Sequence, residues 1–549
     1  MATEHKTDRN NNLTDQWKGQ IKGTFRKIFP ERWYAKVLYE RALVVILILL
    51  QLAVFIYFLL NVSRISKGIA IGMYAFSWLI VAKIVLGSKL IDYKLSWTIL
   101  VLAFPLVGGV LYVLLETNLF NRRLRKDIQM AQNKLKPYRR SNPELYKTLA
   151  EYKQDENSLA SYIDNSVQYP LYQDGRAEYL ASGEDMYDHM IESIRGARHY
   201  IFLEFFIVKK GYMLENLLEL LSAKVKEGVE VCFLYDDVGT MLQLPRSFAK
   251  TLTDLGIQAR PFNTLRPILS TQFNNRDHRK IVVIDGQVAY TGGINIGDEY
   301  INKEERFGHW KDGGVAFYGE AAWAMTLMFL ELWLAMGTDA ELESLDVASY
   351  CPNPSYLDPN PKTNPETLPA FIQPYSDSPF DFDFIGKMVY QKLIYNAGRY
   401  VYLMTPYLIL DDDMVAALRQ AARSGVDVRI ITPHIFDKQL VKQVTRSYYK
   451  SLLEAGVRIF EYTPGFIHTK ALVTDDETAV IGTINFDYRS FYLHFEDAVV
   501  VYNQPCVGET YDDFLETQAQ SHEIFSHTFK WGFWHKLAGA FLRLFAPLM

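Results

Sequence analysis

Two histidine–lysine pairs carry the chemistry that this sequence can support. His278 and Lys280 stand two residues apart and are followed by Asp285, Gly292-Gly293-Ile294 and Asn295. His468 and Lys470 repeat the arrangement with Asp475, Gly482-Thr483-Ile484 and Asn485, every residue 190 positions after its counterpart (468 − 278 = 190). In an extended strand, residues i and i+2 share a face, so each imidazole projects beside an ammonium group. One such set is an anion site of low specificity. Two sets facing each other present two imidazoles, two ammonium groups and two carboxamides to a single phosphate. Lys280, Lys470, Asn295 and Asn485 would then neutralise and hydrogen-bond the nonbridging oxygens in the transition state. One imidazole can attack phosphorus while the other protonates the leaving oxygen, and imidazole ionises near neutral pH.

Each histidine needs an acceptor for its second ring nitrogen. Asp312 follows His278 by 34 residues (312 − 278) and Glu496 follows His468 by 28 (496 − 468), which leaves room for a strand that brings an acid back. Asp285 and Asp475 count with the catalytic motif residues, although their place at strand-end turns suits structure better than chemistry. His278, Asp285, His468 and Asp475 are also metal-ligand types. A lysine beside each histidine would repel a cation, so no metal and no other cofactor is expected.

The elements that must position these residues repeat as well. From Tyr172 onward, short β-rich runs alternate with helical ones, the pattern of an α/β layered domain. Helices are expected over 186–195 and 214–226, and strands over 200–208, 229–235, 280–285 and 288–291. The series recurs as helices over 385–396, 414–424 and 438–455, with strands over 400–404, 426–431, 457–462, 470–474 and 479–481. Gly228 and Gly425 each close a helix and open a strand. This is a duplication of one unit, divided by a Pro-rich linker over 338–380. The expected domains are 171–337 and 381–520, preceded by a polar connector over 119–170.

Composition narrows the setting. The 549 residues are 49% hydrophobic and 14% aromatic, high for a chain with no apolar partner, and the net charge of −5 gives no global basic field for nucleic acid. Three scattered cysteines cannot build a disulfide framework or a thiolate zinc site. Residues 1–40 end in a basic, aromatic stretch suited to an anionic membrane surface. Apolar runs over 42–62, 69–87 and 95–115, within a region 41–118, are near the length that spans a bilayer. Basic residues flank both ends of that region, so the number of crossings and the side of the catalytic unit stay open. At the other end, within 521–549, Trp534, Leu537, Phe541, Leu544, Phe545 and Leu548 recur at helical spacing. That is an amphipathic membrane-interface helix.

The paired H-x-K-x4-D motifs resemble the phospholipase D superfamily, and their surroundings resemble its bacterial cardiolipin synthase branch. The matching stretches are Arg276–Lys280, Tyr290–Tyr300, Thr405-Pro406-Tyr407, Arg446–Tyr449, Gly465–Lys470 and Arg489-Ser490-Phe491. Asp277 and His494 depart from the pattern, which more often has Asn at each. The resemblance implies two duplicated phospholipase D-like α/β/α sandwich domains packed face to face, preceded by N-terminal transmembrane helices. It implies a transphosphatidylation without metal, in which one phosphatidylglycerol forms a phosphatidyl-histidine and releases glycerol, and a second attacks to give cardiolipin. A hydrolase, or a transferase using another alcohol, would draw on the same residues. His278 would be the nucleophile and His468 the general acid and base, or the reverse. Lys280, Lys470, Asn295 and Asn485 would bind phosphate, and Asp312 and Glu496 would orient the histidines. The partners implied are phosphatidylglycerol, cardiolipin and a lipid bilayer, with a multi-pass place in the bacterial plasma membrane and no nucleic acid; the oligomeric state stays open.

Overall fold

The computed structural model describes residues 67–544, apart from 88–89, 105–106, 117–118, 174, 265–273, 358–369, 382, 528 and 530–531, together with isolated positions between 46 and 61. The first half of the catalytic region contributes β1 (Ala177–Leu180), β2 (Tyr200–Phe205), β3 (Glu230–Asp236), β4 (Gln258–Phe262), β5 (Ile281–Ile284), β6 (Val288–Gly292), β7 (His309–Lys311) and β8 (Gly314–Tyr318). The second contributes β9 (Phe371–Asp377), β10 (Tyr400–Met404), β11 (Leu408–Ile409), β12 (Asp427–Pro433), β13 (Arg458–Tyr462), β14 (Gly465–Ile467), β15 (Ala471–Thr474), β16 (Thr478–Gly482), β17 (Phe486–Asp487), β18 (Glu496–Tyr502) and β19 (Ser521–Ile524).

The duplication holds strand for strand. One sheet runs β1-β8-β6-β5-β2-β3-β4, and the other runs β9-β18-β16-β15-β10-β12-β13 with β19 added at its edge. In each, three neighbouring strands are parallel (β2-β3-β4, β10-β12-β13) and the remaining pairs are antiparallel. The central strands are buried on both faces, Tyr400–Met404 as an apolar run along its whole length and Tyr200–Phe205 interrupted only by the buried Glu204. The helix Glu320–Ala335 is apolar on every side and buried accordingly. Its core is shared with one face of the first sheet and with the second sheet, so the two halves fold around one continuous apolar interior.

Several boundaries differ from the sequence reading. The end of the Pro-rich linker is strand β9, paired to β18 from Phe371↔Tyr502 to Asp377↔Glu496. It lies at the sheet edge, where Pro374, with no amide hydrogen to offer, is tolerated. The start of the linker is also ordered: Asp339–Ser344 is a helix closed by a Thr338–Glu341 capping box. Residues 521–524 belong to the second sheet, and the C-terminal helix is Phe533–Leu544.

The expected transmembrane region changes most. The segment 1–40 and nearly all of the run 42–62 lie outside the described residues. The run 69–87 is the helix Lys67–Leu86. The run 95–115 is two helices, Ile91–Ala103 and Val107–Glu116, on either side of Pro105. Gly108 lets the second pack on Leu100 and Val101 of the first, where a Cβ would collide with their backbone. Among the described residues, no helix is long and apolar enough to cross a membrane. Ile80, Ile84, Trp97, Val101 and Tyr112 form a small core joining the three helices.

Candidate active site

Each motif histidine stands just before the strand that leads into a tight hairpin, β5–β6 or β15–β16. The strand opposite it comes from the other half of the chain. β14 pairs in parallel with β7, and the His468 amide donates to the Lys311 carbonyl at 2.7 Å. In the mirrored place Asp277 bridges Phe495, and the His278 amide donates to the Phe495 carbonyl at 2.9 Å.

This pairing crosses the orienting acids. His278 Nδ1 lies 2.8 and 3.0 Å from the Glu496 carboxylate oxygens, and His468 Nδ1 lies 2.7 Å from Asp312 Oδ2. The acid that follows each motif in sequence therefore serves the other motif's histidine. Both carboxylates are fully buried, and Nδ1–H donation to them leaves each Nε2 lone pair free. Thr483 Oγ1 donates to Glu496 Oε2 at 2.5 Å. The first copy has Gly293 there, where a Cβ would collide with the Asp312 carboxylate and the His468 carbonyl.

The electrostatics keep both rings neutral. Burial pushes His278 well below the usual imidazole range, helped by Lys280, Lys470 and the His468 ring. His468 falls to about 4 through burial and Lys470, against the opposing pull of Asp312. These mutual effects join the two half-sites in one pocket, since each lysine acts on the histidine of the other motif. Burial also lowers the lysines, Lys280 to about 8 and Lys470 to about 7, with nearby carboxylates resisting. Burial works to raise Asp312, but the His468 ring, which hydrogen-bonds it, and the Lys470 ammonium hold it below the usual carboxylate range. Lys280 Nζ donates to the His278 carbonyl at 2.5 Å, and Lys470 makes the matching bond to His468.

The other expected site residues divide. Asn485 is buried with its Oδ1 unpartnered. Asn295 Oδ1 accepts from the Ile207 amide at 2.9 Å, and its Nδ2 donates to Tyr300 Oη at 2.8 Å, so it ties two segments together. Asp285 and Asp475 are not at the site, a correction to their place among the catalytic residues. Four strand residues separate Asp285 from Lys280, about 13 Å or more at strand spacing. Its carboxylate accepts from the amides of Arg198, His199 and Tyr200, each at 2.8 Å. Asp475 does the same for Gly398, Arg399 and Tyr400 at 2.7 to 2.9 Å. Both adopt positive φ at the hairpin turn. They fasten each hairpin to the start of the central strand.

Neighbours that the motifs did not single out complete the pocket. The His494 ring lies tilted at 39° with its centre 5.4 Å from that of His278 and accepts from Arg489 Nε at 3.2 Å, while burial drives its imidazole down to about 3. Phe206 meets the His278 ring edge-on at 5.0 Å. Around His468 stand Tyr300, Trp310 and Phe466, with ring centres 5.3 to 5.9 Å away. The signal for His494 was its departure from the family pattern; the aromatic walls left none. His278, His494 and Glu496 also bring three possible metal-ligand atoms within 4.8 Å. Lys280, Lys470 and Arg489 act on the same pocket, so its field favours an anion.

Two halves of one fold, each giving an imidazole and an ammonium group to a shared anion pocket, define a phospholipase D-like phosphoryl-transfer protein. A family model described as "Cardiolipin synthase, PLD-like domain" matches residues 190–306 and 390–518. The chain is 34% identical over 462 residues to a cardiolipin synthase of Alkalihalophilus pseudofirmus, covering 83% of this chain and 88% of that one. A cardiolipin synthase of Geobacillus kaustophilus is also 34% identical, over 460 residues and the same shares. An uncharacterized protein of Streptococcus mutans is 40% identical over 456 residues, 83% of this chain and 96% of that one. Among solved structures, the phosphatidylserine synthase of Haemophilus influenzae superposes with a TM-score of 0.53 at 15% identity, covering 72% of this chain and 98% of that one, a likeness of fold. The chain belongs to the cardiolipin synthase family, and its enzyme class is that of a phospholipid phosphatidyltransferase.

Proposed function

We infer that this chain transfers the phosphatidyl group of one phosphatidylglycerol to a hydroxyl of a second, giving cardiolipin and glycerol. The observation that carries the reading is the crossed pair of acid-held histidines around one cationic pocket. The donor's phosphodiester lies between them, with Lys280, Lys470 and Asn485 at its nonbridging oxygens. His278 Nε2 attacks phosphorus, a P–N bond forms, and the P–O bond to glycerol breaks. His468 gives its Nε2 proton to the leaving oxygen. Glu496 holds the Nδ1–H and balances the positive charge on the phosphorylated ring. In the second step the acceptor's hydroxyl oxygen attacks phosphorus, the P–N bond breaks, and the hydroxyl proton goes to His468.

The general acid needs a proton that His468 does not hold by itself, because burial and then the lysines keep the ring neutral. A phosphodiester offsets their charge on binding, so His468 takes up a proton as the donor arrives.

The chain's place is the bacterial plasma membrane. On Lys67–Leu86, Ile71, Tyr74, Trp78 and Leu79 are exposed, and on Phe533–Leu544 so are Leu537 and Phe541, one turn apart. Exposed apolar groups of this size suit a lipid surface. The C-terminal helix stays docked by its other side, with the Arg543 guanidinium 4.2 Å from the Tyr448 ring centre. Asp92 of the helix Ile91–Ala103 hydrogen-bonds Tyr488, three residues past Asn485, which ties the apolar helices to the second half-site.

The test is a product assay with the full chain in phosphatidylglycerol vesicles, without added metal or nucleotide. Cardiolipin and free glycerol in equal amounts support the reading. Phosphatidic acid without cardiolipin would point to a hydrolase.

A further inference from the structure

The reading as a cardiolipin synthase leaves one substrate charge unaccounted for. The acceptor lipid carries a phosphodiester of its own, which does not react. It ends one glycerol bridge away from the phosphorus that does. Lys280 and Lys470 face the reacting group, so the second anion enters beside the first unless a further cation receives it.

The side from which the acceptor arrives is set by the chemistry. Its hydroxyl must reach phosphorus opposite the P–N bond to His278 and give its proton to His468. It therefore approaches along the aromatic wall around His468. Phe307 extends that wall, 6.4 Å from Trp310 and 6.1 Å from Phe466. The Arg306 guanidinium lies 5.1 Å from the Phe307 ring centre, and its Nη1 is 3.2 Å from Glu299 Oε1. Lys209 Nζ donates to the same oxygen. Both cations are fixed to the segment behind Asn295. Glu299 is four residues downstream of it, and the Lys209 amide donates to the Ile296 carbonyl at 2.8 Å.

Two cations share one oxygen of a single carboxylate. The Glu299 side chain is 1% exposed and its Oε2 has no hydrogen bond, whereas the Arg306 side chain is 48% exposed and faces solvent. The duplication breaks at this point. The counterpart of Glu299 is Arg489 (299 + 190), turned onto His494. The two half-sites are therefore not interchangeable.

We propose that Arg306 and Lys209, held by Glu299, form a binding subsite for the non-reacting phosphodiester of the acceptor lipid. Free glycerol and water use the same approach to phosphorus but carry no phosphate. The subsite thus selects phosphatidylglycerol over both as the group that discharges the phosphatidyl-histidine.

The experiment uses the full chain in phosphatidylglycerol vesicles with labelled glycerol present. Cardiolipin formation is measured beside label exchange into phosphatidylglycerol, a reaction that needs no acceptor phosphate. In Arg306→Gln and in Lys209→Gln the ratio of cardiolipin to exchange falls ~10-fold, the loss of one charge-assisted contact. Arg306→Lys restores part of it. An unchanged ratio in both Gln variants, with the two activities intact or lowered together, would overturn the subsite and leave the underlying reaction standing. Absence of both cardiolipin and exchange in the unaltered chain would remove the cardiolipin synthase reading, and the subsite with it.

Discussion

His468 Nδ1 stands 2.7 Å from Asp312 Oδ2, although 156 residues separate them and they belong to opposite halves of the duplicated fold. His278 and Glu496 repeat the relationship across 218 residues. Neither half can orient its own histidine, so one half alone has no complete site. The crossing divides the acids between the two roles, Glu496 on the nucleophile and Asp312 on the proton carrier. Glu496→Gln removes the support for the attacking ring, and the labelled phosphatidyl adduct on protein disappears with the activity. Asp312→Asn removes it from the proton donor, so turnover falls but labelled adduct persists. Losses of ~10²–10⁴-fold in turnover are expected for each. The opposite assignment of adduct loss would exchange the roles of the histidines.

The lysines set the alkaline limit. Lys280 at about 8 and Lys470 at about 7 lose their charges as pH rises through those values, and phosphate affinity goes with them. The specificity constant should fall from about pH 7 upward and more steeply above about pH 8, through a rising KM. Lipid binding at pH 7 should also be accompanied by proton uptake at His468, read as a dependence of the calorimetric binding heat on the buffer's ionisation enthalpy.

Asp285 and Asp475 should act through stability. Asp285→Ala or Asp475→Ala leaves three backbone amides without their acceptor, a cost of about 3 kcal/mol. The melting temperature should drop in either variant. Turnover per folded molecule should stay within a few-fold of the unaltered chain, since neither carboxylate reaches the pocket.

Leu537 and Phe541 should anchor the C-terminal helix to lipid. Replacing both with Ser lowers partitioning onto phosphatidylglycerol vesicles by ~10-fold or more, from the apolar area removed. Sedimentation with the vesicles reads this directly. Activity on substrate dispersed in detergent should change far less.

Much of this was legible in the residues. The 190-residue offset gave the duplication, and period and turn residues located the central strands closely, with Tyr400–Met404 and the helix Ile385–Asn396 matching to the residue. Asp312 and Glu496 were recognisable as the acids. Their crossing was not, because spacing along the chain says nothing of which half supplies the neighbouring strand. Asn295 read as a phosphate ligand by symmetry with Asn485, yet Ile207 and Tyr300 occupy it. Strand β9 was hidden by its proline, which an edge tolerates. The helix pair over 91–116 was hidden by its continuous apolarity, since hydropathy does not register how closely Gly108 lets one helix fold onto another.

The account rests on two imidazoles addressing one phosphorus atom, and a crystal structure of the full chain with vanadate tests that most directly. It predicts vanadium bonded to His278 Nε2, with an apical oxygen within about 3 Å of His468 Nε2 and the lysines at the equatorial oxygens. Vanadate held by a single histidine, with the other ring more than ~10 Å away and beyond any in-line geometry, would contradict it.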